Sequence, residues 1–342
     1  MTTAAVIGTT SWGTTLAVLL ARNGAPVRML ARAGDEADAL NRDRENKRFA
    51  PGVTLPDALT ATASPADALT GADLVMVAVP SRSIRENMAR IAADVPPDAT
   101  VVSATKGLEI SSGKRMSEVI AGELGPGWNG HICALSGPNL AAEVLSGLPS
   151  TTVVAGSDDE AMARVQAAFS SQSFRVYTNA DLVGVELGGA LKNIIAIGAG
   201  ICDGLQLGDN AKAAFVTRGL AEIARLGVAS GAAPLTLAGL AGMGDLVATC
   251  YSDLSRNHHV GTELAAGRKL GDIRAGMQNV AEGVDTTAAA VRLADRLSVD
   301  MPITRAINSI LFEGVSLESA ISELLGRRPA PEWSGLDGGK SG

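Results

Sequence analysis

Ala4-Ala5-Val6-Ile7-Gly8-Thr9-Thr10-Ser11-Trp12-Gly13-Thr14-Thr15-Leu16-Ala17 is the stretch that decides the fold. Four apolar residues enter a turn bounded by glycines. A helical pattern over residues 12–23 follows, and Gly24 closes it. Working outward, short β-rich runs recur at residues 26–31, 74–79, 100–104, 132–135, 152–154 and 174–177. Helical patterns over 84–93, 116–124 and 160–169 lie between them. The run at 74–79 is wholly apolar and is stopped by Pro80, which suits a parallel strand buried on both faces. Strands alternating with helices over short connections predict an α/β, doubly wound parallel sheet across residues 1–180. From about residue 181 the patterns are helical only, at 182–204, 210–226, 255–266, 286–297, 303–312 and 317–325. This predicts an all-helical second domain over 181–328. Residues 329–342 are rich in Pro, Gly and Ser and read as a disordered tail. No internal repeat is present.

Composition narrows the function. The 342 residues are 46% hydrophobic, too apolar for a wholly disordered chain and long enough for roughly two domains. With 29 Lys+Arg against 36 Asp+Glu, the net charge of −7 argues against general nucleic-acid binding, which needs a basic face. A small anionic substrate needs only a few placed cations. Cys133, Cys202 and Cys250 are far apart, odd in number and without CxxC spacing, so they read as reduced, semi-buried thiols of a cytoplasmic protein. The N-terminus has no charged leader or cleavage site. The longest apolar stretch, residues 194–202, is far short of the roughly 18 of a membrane span, so none is expected. His131, His258 and His259 lack metal-site spacing with Asp or Glu, and no metal is assigned.

The first turn, Gly8-Thr9-Thr10-Ser11-Trp12-Gly13, sits where a Rossmann-type sheet binds a dinucleotide. Gly8 permits the tight turn and Gly13 permits close helix–strand packing, while the helix N-terminus offers N–H groups to a pyrophosphate. Thr10 stands at the middle glycine of the fingerprint, and its Cβ and hydroxyl are expected to crowd that approach. An unliganded strand–helix turn is the alternative. At the end of the second strand no acid stands ready for a ribose diol, whereas Arg32 could pair with a 2′-phosphate. NADPH is therefore expected as cofactor, with or without NADH. Read alone, Arg32 could equally be an exposed surface residue.

In the second half, Lys192 is the one cation inside the apolar run around Ala190–Ile201, flanked by Gly188, Gly189 and Ala196. A desolvated ammonium loses pKa and becomes a proton donor near neutrality; a lysine snorkelling to the surface is the alternative. Asp245, within Gly242-Met243-Gly244-Asp245-Leu246-Val247-Ala248-Thr249-Cys250, is a candidate partner. Ser255-Arg256-Asn257 opens a helix with hydrogen-bonding groups and a bidentate cation, as a phosphate site would; by itself it is also an ordinary serine cap. Lys106 and Ser136-Gly137-Pro138-Asn139 each follow a strand C-terminus, where doubly wound sheets bind ligands.

Taken in order, GTTSWGTTLA (8–17), VSATKGLE (102–109), SGPNLAAE (136–143), ELGGALKNIIAIGAGICDGLQLGDNAKAAFVTRGLAE (186–222), GMGDLVATCYSDLSRN (242–257) and VAEGVDT (280–286) make the chain similar to bacterial NAD(P)-dependent glycerol-3-phosphate dehydrogenases. The resemblance runs from Val6 to about Leu325. It implies reversible reduction of dihydroxyacetone phosphate to sn-glycerol 3-phosphate, which feeds glycerophospholipid synthesis, and it implies a homodimer. It implies proton transfer by Lys192, with Lys106 and Asp245 in the catalytic group. Substrate contacts then fall on Lys106, Gly137, Asn139, Lys192, Asn193, Asp245, Thr249, Ser255, Arg256 and Asn257. Cofactor contacts fall on Gly8, Thr10, Ser11, Trp12, Gly13, Arg32, Phe49, Lys106, Ala141, Arg256, Val280 and Glu282.

Departures from the family pattern gather on the cofactor side. Thr10 replaces a glycine, Ala33 stands where a basic residue is common, and Phe49 stands where Tyr is common. Asn139 replaces a Ser or Thr but keeps a donor and an acceptor. Two other readings of the same residues are a related two-domain hydroxyacid dehydrogenase and a catalytically inactive dinucleotide-binding sensor. The first would not need Ser255-Arg256-Asn257, and the second would not need Lys192, Lys106, Asp245 and Arg256 together.

Overall fold

A computed structural model describes residues 2–277, 279–328 and 331–332. The expected disordered tail, residues 329–342, lies outside the described residues except for Pro331 and Glu332. The chain forms two compact units, Met1–Thr105 with Met116–Leu182, and Lys106–Arg115 with Val183–Gly342. A single division at residue 180 does not describe this, because residues 106–115 belong with the second unit.

The first unit carries ten strands: β1 (Ala4–Ile7), β2 (Val27–Leu30), β3 (Glu45–Asn46), β4 (Ala50–Thr54), β5 (Leu59–Thr62), β6 (Leu74–Val77), β7 (Thr100–Ser103), β8 (Ile132–Ser136), β9 (Ser150–Ala155) and β10 (Phe174–Asn179). Eight of them form one sheet in the order β10-β9-β8-β7-β6-β1-β2-β5, and β3 and β4 form a separate antiparallel pair. Strand order reverses about β1, the crevice where doubly wound sheets bind ligands. In β1, Ala4 and Val6 pack into one core cluster while Ala5 and Ile7 pack into another. Both faces of the sheet are therefore covered, which is why its central strands are apolar without alternation.

The helices of this unit are α1 (Ser11–Arg22), α2 (Gly34–Asp43), α3 (Pro65–Leu69), α4 (Ile84–Ile91), α5 (Met116–Leu124), α6 (Ala141–Leu145) and α7 (Asp159–Phe169). One expectation is corrected. The sheet is not wholly parallel, because β8 and β9 run antiparallel. Residues 137–149 join them through the five-residue α6 only, a connection at the lower limit for returning the chain to the same edge. The 11-residue α7 does return it, and β9 and β10 are parallel.

The second unit is helical: α8 (Leu182–Gly204), α9 (Asp209–Ala229), α10 (Pro234–Leu237), α11 (Asp245–Tyr251), α12 (Arg256–Ala265), α13 (Leu270–Gly276), α14 (Glu282–Leu297), α15 (Pro302–Asn308) and α16 (Leu317–Leu325). Wider π-type turns precede α11 at Leu240–Gly244 and follow α15 at Ser309–Glu313, so the helix expected over 303–312 is one helical stretch whose last turn widens. α8 is long and apolar enough to cross a membrane by length and composition, with a mean hydropathy of 1.5, yet it is buried from Gly184 to Cys202 as the central helix of this unit. α12 crosses it in backbone contact. A Cβ at Gly200 would lie 2.0 Å from the His258 carbonyl oxygen, and one at Gly261 would lie 1.9 Å from that of Ile197. Only paired glycines allow that approach, and it brings the start of α12 beside the middle of α8.

Candidate active site

The first unit builds a loop at the carboxyl end of β1. Gly8 has φ +105°, a conformation that side chains disfavour. A Cβ on Gly13 would stand 2.2 Å from the Gly8 carbonyl oxygen, so α1 starts directly against the turn. Thr10 caps α1: its hydroxyl oxygen accepts from Gly13 N at 3.0 Å and its O–H donates to Ala78 O at 2.8 Å. Its φ of −63° needs no glycine. The Thr10 hydroxyl, expected to crowd a pyrophosphate, is thus bonded within the protein and ties the loop to the chain beyond β6. Ser11 and Trp12 form the first turn of α1, and the buried Trp12 Nε1 has no acceptor among the described residues.

Asn46 anchors the other wall. Its Nδ2 donates to Thr9 O at 2.9 Å and to Thr14 Oγ1 at 2.7 Å, and its Oδ1 accepts from Phe49 N at 3.2 Å. Phe49 is thereby held beside the loop, with the Arg48 guanidinium 4.8 Å from its ring centroid. Arg32 is 65% exposed and paired with Glu36. At the end of β8, Asn139 Nδ2 donates to Thr151 O at 2.8 Å, while its buried Oδ1 has no donor among the described residues. Gly137 is required for packing, since a Cβ there would meet Thr152 Cα at 2.9 Å. Ala141 opens the short α6.

The second unit gathers a buried charge cluster. Lys192 (6% exposed) projects from α8 and Asp245 (2% exposed) from the first turn of α11. Lys192 Nζ lies 2.9 Å from Asp245 Oδ1, and Lys106 Nζ lies 2.6 Å from Asp245 Oδ2. One carboxylate therefore bridges two ammonium groups. Thr249, one turn along α11, donates its O–H to Asp245 O at 2.7 Å and accepts from Lys192 at 2.5 Å. Burial pushes the Lys192 ammonium down to about 8; Asp245 opposes that shift and Lys106 reinforces it.

Lys106 reaches this cluster from a tethered segment. Leu108 bridges to Arg115 and is buried in the helical core. Arg292 donates to Ile110 O at 2.7 Å, Arg296 to Ser112 O at 2.5 Å, and Arg115 pairs with Glu186 at 2.6 Å. Beside the cluster, Asn257 Nδ2 donates to Asn193 Oδ1 at 2.7 Å and Asn257 Oδ1 accepts from Gly283 N at 2.9 Å. Ser255 caps α12 by accepting from His258 N at 3.2 Å. The exposed Arg256 donates to Val280 O at 2.9 Å, with Glu282 within electrostatic reach.

Two family models match the chain, NAD-dependent glycerol-3-phosphate dehydrogenase N-terminus over residues 3–163 and the corresponding C-terminus over residues 181–322. The chain belongs to the NAD-dependent glycerol-3-phosphate dehydrogenase family. It is 49% identical to glycerol-3-phosphate dehydrogenase [NAD(P)+] of Dehalococcoides mccartyi over 98% of this chain and 94% of that one. It is 51% identical to the enzyme of Prosthecochloris aestuarii over 96% and 98%. The crystal structure of glycerol-3-phosphate dehydrogenase from Coxiella burnetii matches at 36% identity with a TM-score of 0.90, covering 95% of this chain and 99% of that one.

This dehydrogenase is an oxidoreductase whose cofactor is NAD or NADP. The loop fits such a group, because Gly13 lets α1 start directly against the Gly8 turn, which sets the helix N-terminus at the carboxyl end of β1. Of the residues expected from sequence, Lys106, Lys192, Asn193, Asp245, Thr249, Ser255, Asn257 and Arg256 with its neighbours Val280 and Glu282 are placed by the second unit. Gly8, Thr10, Ser11, Trp12, Gly13, Arg32, Phe49, Gly137, Asn139 and Ala141 are placed by the first. Glu36, Asn46, Arg115, Glu186, Arg292 and Arg296 escaped the sequence reading. The spacing from Gly13 to Glu36, roughly the 20 residues usual for a ribose-binding acid, was the one available signal.

Proposed function

We propose that this chain interconverts dihydroxyacetone phosphate and sn-glycerol 3-phosphate with NAD(P)H, and that Lys192 is the proton donor in reduction and the acceptor in oxidation. The observation that carries this is Asp245 bridging Lys192 and Lys106. When bound, the nicotinamide supplies the hydride. Two ammonium groups on one carboxylate leave the cluster positive, which stabilises charge developing on a ketone oxygen. Lys192 holds two of its N–H bonds on Asp245 and Thr249. Its third N–H has no acceptor among the described residues and is the proton we assign to the substrate oxygen. An ammonium poised near 8 gives up that proton far more readily than an exposed lysine.

Lys106 polarises the same oxygen. Ser255 and Arg256 receive the phosphate, so that binding energy remote from the ketone orients it. Asn257 serves mainly to lock α12 to Asn193 and the start of α14, since both ends of its amide are engaged. Gly8, Thr10, Ser11, Trp12, Gly13, Arg32 and Phe49 hold the dinucleotide, with Asn139 and Ala141 contributing from the same unit. A cytoplasmic homodimer completes the reading, on the family resemblance.

The test is oxidation of NADH or NADPH followed at 340 nm with dihydroxyacetone phosphate. Lys192→Ala should lower kcat by about 10²–10⁴-fold while dinucleotide binding persists. Wild-type turnover in that variant would remove Lys192 from the chemistry.

A further inference from the structure

The sequence places no acid at the end of β2, only Arg32. The fold supplies one from the next helix. Glu36, in the first turn of α2, turns back towards the strand ends. Its Oε1 accepts from Thr9 Oγ1 at 2.6 Å, and its Oε2 accepts from Arg32 N at 3.1 Å and Arg32 Nε at 3.3 Å. Arg32 Nη2 lies 3.4 Å from Oε1. One carboxylate therefore ties the glycine loop after β1 to the residue after β2. That is the position where dinucleotide folds meet the adenosine ribose.

The charges matter more than the ties. An unpaired arginine here would welcome the 2′-phosphate of NADP(H). This arginine already faces a carboxylate, so the local charge is close to neutral before any ligand arrives. A 2′-phosphate would place two more negative charges against Glu36. A 2′-hydroxyl would donate a hydrogen bond to it. Burial alone would raise the Glu36 carboxyl, but the hydrogen bonds from Thr9 and Arg32 outweigh it and hold the group below its usual range. It is an anion at any working pH.

We propose that Glu36 is the coenzyme-selecting residue of this chain, that it receives the adenosine ribose 2′-hydroxyl, and that it makes NAD(H) the preferred cofactor. This rests on the reading that the dinucleotide lies on the Gly8–Gly13 loop. It reverses the expectation drawn from Arg32 in the sequence.

Isothermal titration of the full-length protein with NADH and with NADPH tests it without recourse to turnover. Wild type should bind NADH more tightly. Glu36→Gln should move the ratio of the two dissociation constants towards NADPH by about tenfold, or about 1.4 kcal/mol. A shift below threefold, or a wild type that binds NADPH more tightly, overturns the proposal. Thermal unfolding checks that the variant is folded. Should Glu36→Gln not fold, Glu36→Asp keeps the charge but withdraws it from Thr9 by one methylene. Its NADH affinity should then fall more than its NADPH affinity, and an unchanged ratio overturns the proposal. A folded wild type that binds neither dinucleotide overturns the loop reading and this proposal with it. A wild type that binds them but fails to reduce dihydroxyacetone phosphate loses only the proposed reaction, and the ratio still decides on Glu36.

Discussion

Asp245 limits how far burial lowers the pKa of its neighbour Lys192. Its charge and hydrogen bond raise the Lys192 pKa, while burial and Lys106 lower it, with the result near 8. With Lys192 as the proposed proton donor, reduction needs it protonated, so kcat should hold below about pH 8 and fall as pH rises through it. In oxidation Lys192 must start neutral, so kcat should rise through the same value. Asp245→Asn removes the main group that favours the ammonium. The limb should move to lower pH in both directions, with kcat for reduction at pH 7.5 down about a hundredfold or more. Paired pH profiles of wild type and variant check both statements. At this scale the sequence was informative where chemistry stands out from its surroundings. Lys192 is conspicuous as a cation within an apolar run. Glu36 and Asn46 were not, because they look like ordinary polar residues until the fold brings Thr9 to each of them.

The α8–α12 crossing governs where Ser255 and Arg256 sit. Gly261 has no room for a Cβ against α8, so Gly261→Ala must push the two helices apart. Overpacking of this kind costs about 1–3 kcal/mol. It should also raise KM for dihydroxyacetone phosphate severalfold, since Ser255 and Arg256 ride on the displaced helix. Thermal unfolding and steady-state kinetics on the same preparation check the two effects together. A separate element, α15, starts at Pro302 on the buried Glu222, whose carboxylate accepts from Ile303 N at 2.5 Å and from Thr304 N at 3.1 Å. Glu222→Ala should destabilise the protein by about 2 kcal/mol through those lost buried hydrogen bonds, measured by urea unfolding. Strands and long helices were legible because hydrophobic periodicity reports burial. The direction of β9 was not, because an apolar run has no polarity along the chain. The polar α2 and the short β5 carried too little hydrophobic pattern to be noticed.

At the scale of the molecule, each unit has its own hydrophobic core, and the proposed cofactor and substrate contacts divide between the two units. Cofactor alone should slow hydrogen exchange around residues 8–14, 32–36 and 46–49. Glycerol 3-phosphate alone should slow it around residues 192–193 and 255–257. Peptide-resolved exchange with each ligand separately checks this. The net charge of −7 coexists with a buried pair of lysines on one carboxylate, the cations proposed to meet an anionic substrate. Strand–helix alternation giving way to helices alone was readable from the first turn outward. The allegiance of residues 106–115 was not, because it depends on Arg292 and Arg296, nearly two hundred positions away.

That allegiance restricts how such a gene can be cut or recombined. A fragment beginning at residue 183 would inherit the helices but lack one of the two lysines. A fragment ending at residue 182 would carry that lysine on a loop stripped of its anchors, with Leu108 deprived of its core. The substrate half cannot be transplanted as one continuous piece of coding sequence. Duplication or swapping of residues 1–182 would carry Lys106 along with it, away from the Asp245 it pairs with.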